Sequence, residues 1–260
     1  MIKLCKDLYQ YRELLKTNVK KDIRGKYKGS FLGILWSFVN PLLMTLVYAI
    51  VFPHLMRGAA YDHYTTFLVI GILPWTWFTV AISQGTYTVL GNAGIIKKVY
   101  FPREILPISV VTSSMINYMI SCLVIAIFLI CSRIGFNWHI IYLPLIMIIQ
   151  YMFTLGIVFI TSAINVYVRD FEYIVNFIIQ MLFYGTPILY SMEIFAGTKI
   201  YKILRLNPMA TIIDSYRDIM YWGNNPRFIS LAVVFGASII VCIIGLIIFR
   251  RLSRGFAEEV

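Results

Sequence analysis

The sequence contains few charged residues for its length. Asp, Glu, Lys and Arg make up 13% of its 260 residues, and 60% of the residues are hydrophobic. Soluble domains carry about 25% charged residues, so this composition argues against a soluble enzyme and favours a membrane protein. The net charge of +11 would suggest nucleic-acid binding in a soluble protein. In a membrane protein it indicates basic residues at the cytoplasmic face, and we expect no nucleic-acid partner.

The sequence also lacks the motifs of metal, nucleotide and hydrolase sites. Its four cysteines show no pair spacing, and its three histidines stand apart from carboxylate motifs. The patterns H-E-x-x-H, G-x-S-x-G, C-x-x-C and G-x-x-x-x-G-K-[ST] do not occur. We therefore expect no catalytic residue, no metal and no cofactor in this chain, and any ATP would be bound by a partner chain.

Six long uncharged stretches are the candidate membrane spans. A helix needs about 20 apolar residues to cross the hydrocarbon core, and each stretch is long enough for one crossing. Backbone groups in lipid must bond internally, so we expect helices. The sequence thus predicts an all-α integral membrane protein with six transmembrane helices. The stretches are 29–56, 64–96, 105–132, 134–168, 173–192 and 228–249.

The Lys and Arg residues between these stretches predict the orientation. Sixteen of the 23 lie on the side that includes both chain ends, and seven lie on the other side. The more basic side faces the cytoplasm, so both termini are predicted to be cytoplasmic. The chain then divides into a cytoplasmic segment, 1–28, a six-helix membrane domain, 29–250, and a cytoplasmic tail, 251–260.

Segment 1–28 is predicted to form an amphipathic helix at the inner membrane surface. Its apolar residues recur at helical spacing and its other faces are rich in Lys and Arg. A cluster at its end, Arg24, Lys26 and Lys28, has the charge to bind phosphate oxygens of a lipid-linked substrate. The alternative is a membrane anchor with no further role. The apolar stripe consists of Leu4, Leu8, Tyr11, Leu15, Val19 and Ile23.

Four motifs, in order along the chain, resemble the ABC-2-type permeases that export polysaccharides. They are RGKYKGSFLGILWSFVNPLL at 24–43, IIKKVYFPREILP at 95–107, RDFEYIVNFIIQMLFYGTPILY at 169–190 and NPMATIIDSYRD at 207–218. The resemblance covers nearly the whole chain. It is strongest to O-antigen exporter permeases, which have teichoic-acid and capsule exporter permeases as relatives.

The resemblance implies a half-transporter of the bacterial cytoplasmic (inner) membrane. In such families two permease chains form a channel as a homodimer. Two copies of a separate ATPase, which bind ATP and Mg²⁺, dock beneath it. The cargo is a glycan on undecaprenyl diphosphate, moved from the cytoplasm to the outer leaflet.

The resemblance also implies roles for two connecting regions. The coupling loop, 91–104, would contact the ATPase, and the outer gate segment, 193–227, would hold re-entrant gate helices. The alternatives are a plain basic loop and an interfacial helix resting on lipid. The turn at 169–172 is either a second contact with the ATPase or a salt-bridged helix end. The coupling residues are Lys97, Lys98, Tyr100, Phe101, Arg103, Arg169 and Asp170. The gate residues are Asn207, Pro208, Tyr216 and Arg217.

Aromatic residues make up 16% of the chain, which suits a sugar channel. Flat rings can slide along the C–H surfaces of sugars while polar groups bond hydroxyls. The alternative is the aromatic belt that borders any membrane protein. We expect most intramembrane amides, including Gln150, Asn176 and Gln180, to join helices by hydrogen bonds. The candidate channel residues are Tyr48, Trp75, Trp77, Phe78, Phe183 and Tyr184.

Other functions remain as alternatives. A secondary carrier usually has ionisable residues within its spans, which these stretches lack. An integral membrane enzyme would need a catalytic motif, and none is found. An ABC-2 permease for teichoic acid, another lipid or a drug would share the predicted fold, and only the four motifs separate it from an O-antigen exporter.

Overall fold

The computed structural model describes residues 9–25 and 62–259, together with positions 36, 39, 42–44, 46–47 and 50–51. The first predicted span lies mostly outside these residues. So do Lys26, Lys28, Tyr48 and the side chain of Arg24, and the roles predicted for them concern a part of the chain that is not described.

The described residues form helices and contain no β-strand. Short 3₁₀ turns cover Trp138–Tyr142, Met192–Phe195 and Ser253–Gly255, and a π turn covers Asp218–Trp222. The α-helices are α1 (Arg12–Gly25), α2 (Tyr64–Gly91), α3 (Ala93–Ile96), α4 (Ile105–Cys131), α5 (Leu143–Tyr167), α6 (Phe171–Tyr184), α7 (Lys199–Leu206), α8 (Pro208–Arg217), α9 (Phe228–Leu252) and α10 (Phe256–Glu259).

Four of these helices, α2, α4, α5 and α9, are long and apolar enough to cross a membrane. At 1.5 Å per residue, 25 to 28 residues extend about 37–42 Å, which exceeds the hydrocarbon thickness. Large apolar side chains remain exposed on the outside of the bundle, for example Leu123 on α4 and Val233 on α9. This architecture is consistent with a multi-pass integral membrane protein.

Helix α6 is shorter than the predicted fifth span. It has 14 residues, about 21 Å, and ends at Tyr184, whereas the uncharged stretch continues to residue 192. Pro187 has no N–H to donate and disfavours a helical conformation at Thr186. The chain therefore leaves the helix before Pro187, and α6 covers only the first part of the predicted span 173–192.

Helix α5 lies at the centre of the bundle, against α2, α4 and α9. Glycines permit the closest approach: a Cβ atom on Gly156 would stand 2.6 Å from the backbone nitrogen of Cys242. Small residues at such contacts let helices pack closely in a membrane, where packing rather than water exclusion holds them together.

Helix α1 packs against α4. Val19 is buried, and Tyr11 and Leu15 are partly buried against the core, whereas Lys16 and Lys20 are exposed. In its described part, the apolar side of the N-terminal helix thus faces protein.

Candidate functional site

A groove of about 480 Å³ lies between α2 and α6. Its walls combine aromatic rings with hydroxyl and amide groups. They are formed by Trp75, Thr79 and Ser83 of α2 and by Asn176, Ile179, Gln180, Phe183 and Tyr184 of α6.

The groove follows from helical spacing on both walls. Trp75, Thr79 and Ser83 stand four residues apart, which places them on one side of α2. Asn176 and Gln180 have the same spacing on α6. The two polar stripes face each other, and Gln180 remains exposed to the outside of the chain.

A hydrogen bond joins the two walls. The Ser83 hydroxyl donates to Oδ1 of Asn176 across 2.5 Å. Farther along the groove, the rings of Trp75 and Phe183 meet edge to face with centroids 6.1 Å apart. The groove therefore has a hydrogen-bonding part near Ser83 and an aromatic part near Tyr184.

The structure separates the predicted channel aromatics into two groups. Trp75, Phe183 and Tyr184 line the groove. Trp77 instead stacks on Tyr118 with centroids 5.1 Å apart. Phe78 stacks on Phe153 at 5.9 Å, so both of these rings belong to the packed core.

Sequence reasoning missed the groove residues Thr79 and Ser83. Their spacing from Trp75 was the available signal. Gln150, one of the amides expected to join helices, is fully buried on α5 and donates from Nε2 to the Pro74 carbonyl of α2 at 2.8 Å. It lies in a helix contact, away from the groove.

The start of α8 is tied to the end of α6. Oδ1 of Asn207 accepts a hydrogen bond from the backbone N–H of Met209 at 3.0 Å. Asn207 is therefore the N-cap of α8, and Pro208 is the first residue of the helix. Nδ2 of Asn207 donates to the Thr186 hydroxyl at 2.9 Å and to the Gly185 carbonyl at 3.3 Å. A single side chain thus fixes both helix ends.

Helix α8 is inserted among the long helices. It packs against α2, α5 and α9, and Ile212, Ile213 and Tyr216 are fully buried. The Tyr216 ring meets the Tyr118 ring of α4 with centroids 5.8 Å apart. This non-spanning helix is therefore surrounded by protein.

Arg217, at the end of α8, is also fully buried. Its guanidinium donates to the carbonyls of Pro187 and Ile188 at 2.5 Å and of Tyr190 at 3.2 Å. These carbonyls follow the end of α6, where no helical N–H is available to them. The guanidinium supplies the donors and links α8 to this turn.

The same guanidinium contacts α2. It lies 3.6 Å from the centroid of the Phe67 ring, within the range of a cation–π interaction. A Cβ atom on Gly71 would stand 2.6 Å from its Nη2 atom. The absence of a side chain at Gly71 therefore gives Arg217 its space.

Acidic residues lie beside this buried cation. Burial raises the pKa of Asp214 to about 6, although Arg217 opposes the change. Burial also raises the pKa of Asp218 to about 6, opposed by Arg227. The ion pair and hydrogen bond between Arg227 and Glu193 raise the pKa of Arg227 above its ordinary value. The outer gate segment thus holds a cluster of both charge signs.

At the opposite end of the bundle, the coupling loop has an exposed part and a packed part. Lys97, Lys98 and Tyr100 are exposed, the tyrosine to 93%. Phe101 is buried in the core, and Arg103 is half-buried. The neighbouring turn after α5 exposes Arg169 and Asp170.

Residues 13–221 match the family model described as ABC-2 type transporter. The chain belongs to this family. The resemblance found from the four motifs is therefore confirmed, and this ABC-2 chain is part of a transporter.

Similar proteins match this ABC-2 chain over its full length. The O-antigen export system permease protein RfbA of Myxococcus xanthus is 33% identical over 261 residues, which cover 100% of both chains. A protein of the same name from Klebsiella pneumoniae is 37% identical over 262 residues, which cover 99% of this chain and 98% of the other.

Proposed function

We propose that the chain is the permease subunit of an exporter for a polysaccharide of the O-antigen type. The cargo is linked to undecaprenyl diphosphate and moves from the cytoplasm to the outer leaflet of the bacterial inner membrane. Full-length similarity to permeases named for O-antigen export carries this proposal. The chain itself is not an enzyme, because ATP hydrolysis resides in a separate ATPase.

The physical properties of such a cargo require a lined, hydrated path. An ionised diphosphate in hydrocarbon would cost tens of kcal/mol by Born estimates, and each unpaired hydroxyl would add a few kcal/mol. The lipid tail can stay in the bilayer, whereas the glycan needs partners throughout its passage. Net movement in one direction needs an energy source, which two copies of the ATPase with bound ATP and Mg²⁺ provide.

The groove between α2 and α6 supports a sugar path. Tyr184 offers a ring face, Trp75 forms a buried part of the wall, and Thr79 and Gln180 offer hydrogen-bonding groups. The groove opens on the outside of the chain, where Tyr184 is 73% exposed. In our proposal a second copy of the chain faces this groove, and the homodimer encloses the channel.

We assign the remaining predicted residues to the two ends of this proposed path. Arg24, Lys26 and Lys28 bind the diphosphate on the cytoplasmic side. The exposed loop residues Lys97, Lys98 and Tyr100 contact the ATPase, together with the turn at 169–172, while Phe101 anchors the loop in the core. At the other end the outer gate, which contains Asn207, Pro208, Tyr216 and Arg217, closes the channel.

Deletion of the gene in its native host tests the proposed cargo. We expect surface O-polysaccharide to disappear and undecaprenyl-diphosphate-linked polysaccharide to accumulate on the cytoplasmic side, with both effects reversed by the wild-type gene. Unchanged surface polysaccharide, or loss of teichoic acid instead, would reject the O-antigen assignment.

A further inference from the structure

The coupling loop contacts the carboxyl-terminal end of the same chain through an ion pair. Oε1 of Glu104, the residue before α4, accepts a hydrogen bond from Nε of Arg250 in the last turn of α9 at 2.8 Å. The Glu104 side chain is only 13% exposed and that of Arg250 is 37% exposed. Because the pair is partly buried, solvent and salt screen its attraction less than they screen that of a surface ion pair.

The neighbouring residue of the loop contacts the chain beyond α9. The guanidinium of Arg103 lies 5.7 Å from the centroid of the Phe256 ring. Phe256 is fully buried, and its ring meets Phe249 edge to face with centroids 5.5 Å apart. Phe256 therefore contacts both the loop, at Arg103, and the buried side of α9, at Phe249.

Helix α5 takes part in the same arrangement. The Tyr167 hydroxyl at the end of α5 donates to the Leu252 carbonyl at 2.7 Å, and the Tyr167 ring is 6.3 Å from that of Phe256. A Cβ atom on Gly255 would stand 2.6 Å from the Tyr167 hydroxyl. Glycine at this position lets the chain pass close to α5.

We infer that Arg250, Leu252 and Phe256 form a brace that transmits movement of the coupling loop into α5 and α9. This inference rests on the proposed function, in which an ATPase pushes on the exposed part of the loop. Lys97, Lys98 and Tyr100 are exposed, whereas Arg103 and Glu104, which lie nearer to α4, are held by the brace. Displacement of the loop thus moves the cytoplasmic ends of α4, α5 and α9 together.

Arg250 and Phe256 of the brace are positioning residues, as is Glu104, which Arg250 holds. They do not touch the cargo. Without them the ATPase still binds the exposed loop. The movement of the loop then does not reach α9, because the loop is no longer fixed to that helix. The expected defect is therefore in coupling, which means fewer glycans exported for each ATP hydrolysed.

The test uses the complete permease–ATPase complex in proteoliposomes with lipid-linked O-polysaccharide extracted from the producing cells. We expect Arg250→Gln and Glu104→Gln each to lower the exported glycan per ATP hydrolysed several-fold. The matched control is Arg251→Gln, which removes an exposed charge from the next position. Normalising to assembled complex separates coupling from a loss of folding.

A charge exchange sharpens the test. Glu104→Arg combined with Arg250→Glu should recover most of the ratio lost in Arg250→Glu alone. Equal ratios for Arg250→Gln, Glu104→Gln and Arg251→Gln would overturn the brace. If the wild-type complex showed no ATP-dependent export, the proposed function would fail first. Normal wild-type export with unaffected variants would reject only the brace.

Discussion

Gly71 of α2 lies so close to the side chain of Arg217 of α8 that a methyl group at position 71 has no room. A Cβ atom at position 71 would stand 2.6 Å from Nη2 of Arg217 and 3.1 Å from the Ile188 carbonyl oxygen. That carbonyl is itself bonded by the guanidinium. The glycine of one helix thus makes possible the hydrogen bonds that hold the turn after α6.

We predict that Gly71→Ala destabilises the protein despite the better helix propensity of alanine. The methyl group must displace the guanidinium or the carbonyl, and overpacking of this kind costs about 1–3 kcal/mol. Thermal unfolding in detergent would measure the loss. Gly236→Ala in α9 is the control, because a Cβ atom there meets nothing within 4 Å; an equal effect of both changes would contradict the contact.

Replacement of Arg217 by Lys should also lower stability although it keeps the charge. A single ammonium group cannot reproduce a planar fork that bonds several carbonyls, and each buried carbonyl left unpaired costs about 1–3 kcal/mol. Arg205→Lys, at an exposed position of the same outer segment, is the matched change. Folded yield and melting temperature should fall for Arg217→Lys and not for Arg205→Lys.

If the groove is the sugar path, replacing one of its exposed polar residues should reduce export without impairing folding. Gln180 is exposed, so Gln180→Leu should leave stability within about 0.5 kcal/mol while it removes hydrogen bonds offered to sugar hydroxyls. Surface polysaccharide in complemented cells would report export, and protein level would report folding. Met181→Leu, one position away and also exposed, should export normally; a normal Gln180→Leu variant would place the sugar path elsewhere.

The pKa of Asp214 predicts a pH dependence of stability. Burial raises this pKa from its ordinary value of 3.8 to about 6. Between these values the folded chain binds more protons than the unfolded chain, so the free energy of unfolding falls as pH rises through this window and is level above it. The shift corresponds to at most ~3 kcal/mol.

Asp214→Asn tests this dependence, because asparagine remains neutral. Between pH 4 and pH 7.5 the variant should lose less stability than the wild type, and it should be the more stable protein at pH 7.5. Asp170→Asn, at an exposed turn, serves as control. Parallel pH profiles of stability for wild type and Asp214→Asn would show that the Asp214 carboxyl does not contribute to the pH dependence of stability.

The long helices could be predicted from sequence because crossing a membrane requires an uncharged run of helix length. The stretches 105–132 and 228–249 begin at the same residues as α4 and α9 and end within a few residues of them. The end of α6 could not be placed in this way. An uncharged run does not distinguish helix from a buried turn, and the carbonyls of this turn are bonded by Arg217, 27 to 30 residues away.

The candidate site was predictable in its chemistry more than in its geometry. Trp75 and Trp77 are the same residue type two positions apart, but about 200° separates them around a helix. One lines the groove and the other stacks on Tyr118. Residue type indicates what a side chain can bind, whereas its direction depends on the neighbours that the fold supplies.

Reconstituted transport is the most direct test of the proposed export. The permease would be placed in proteoliposomes with and without its ATPase, and translocation of lipid-linked O-polysaccharide would be followed by accessibility to an added glycosidase. The proposal predicts translocation only when permease, ATPase and hydrolysable ATP are present together. Translocation by the permease alone at the same rate would contradict it.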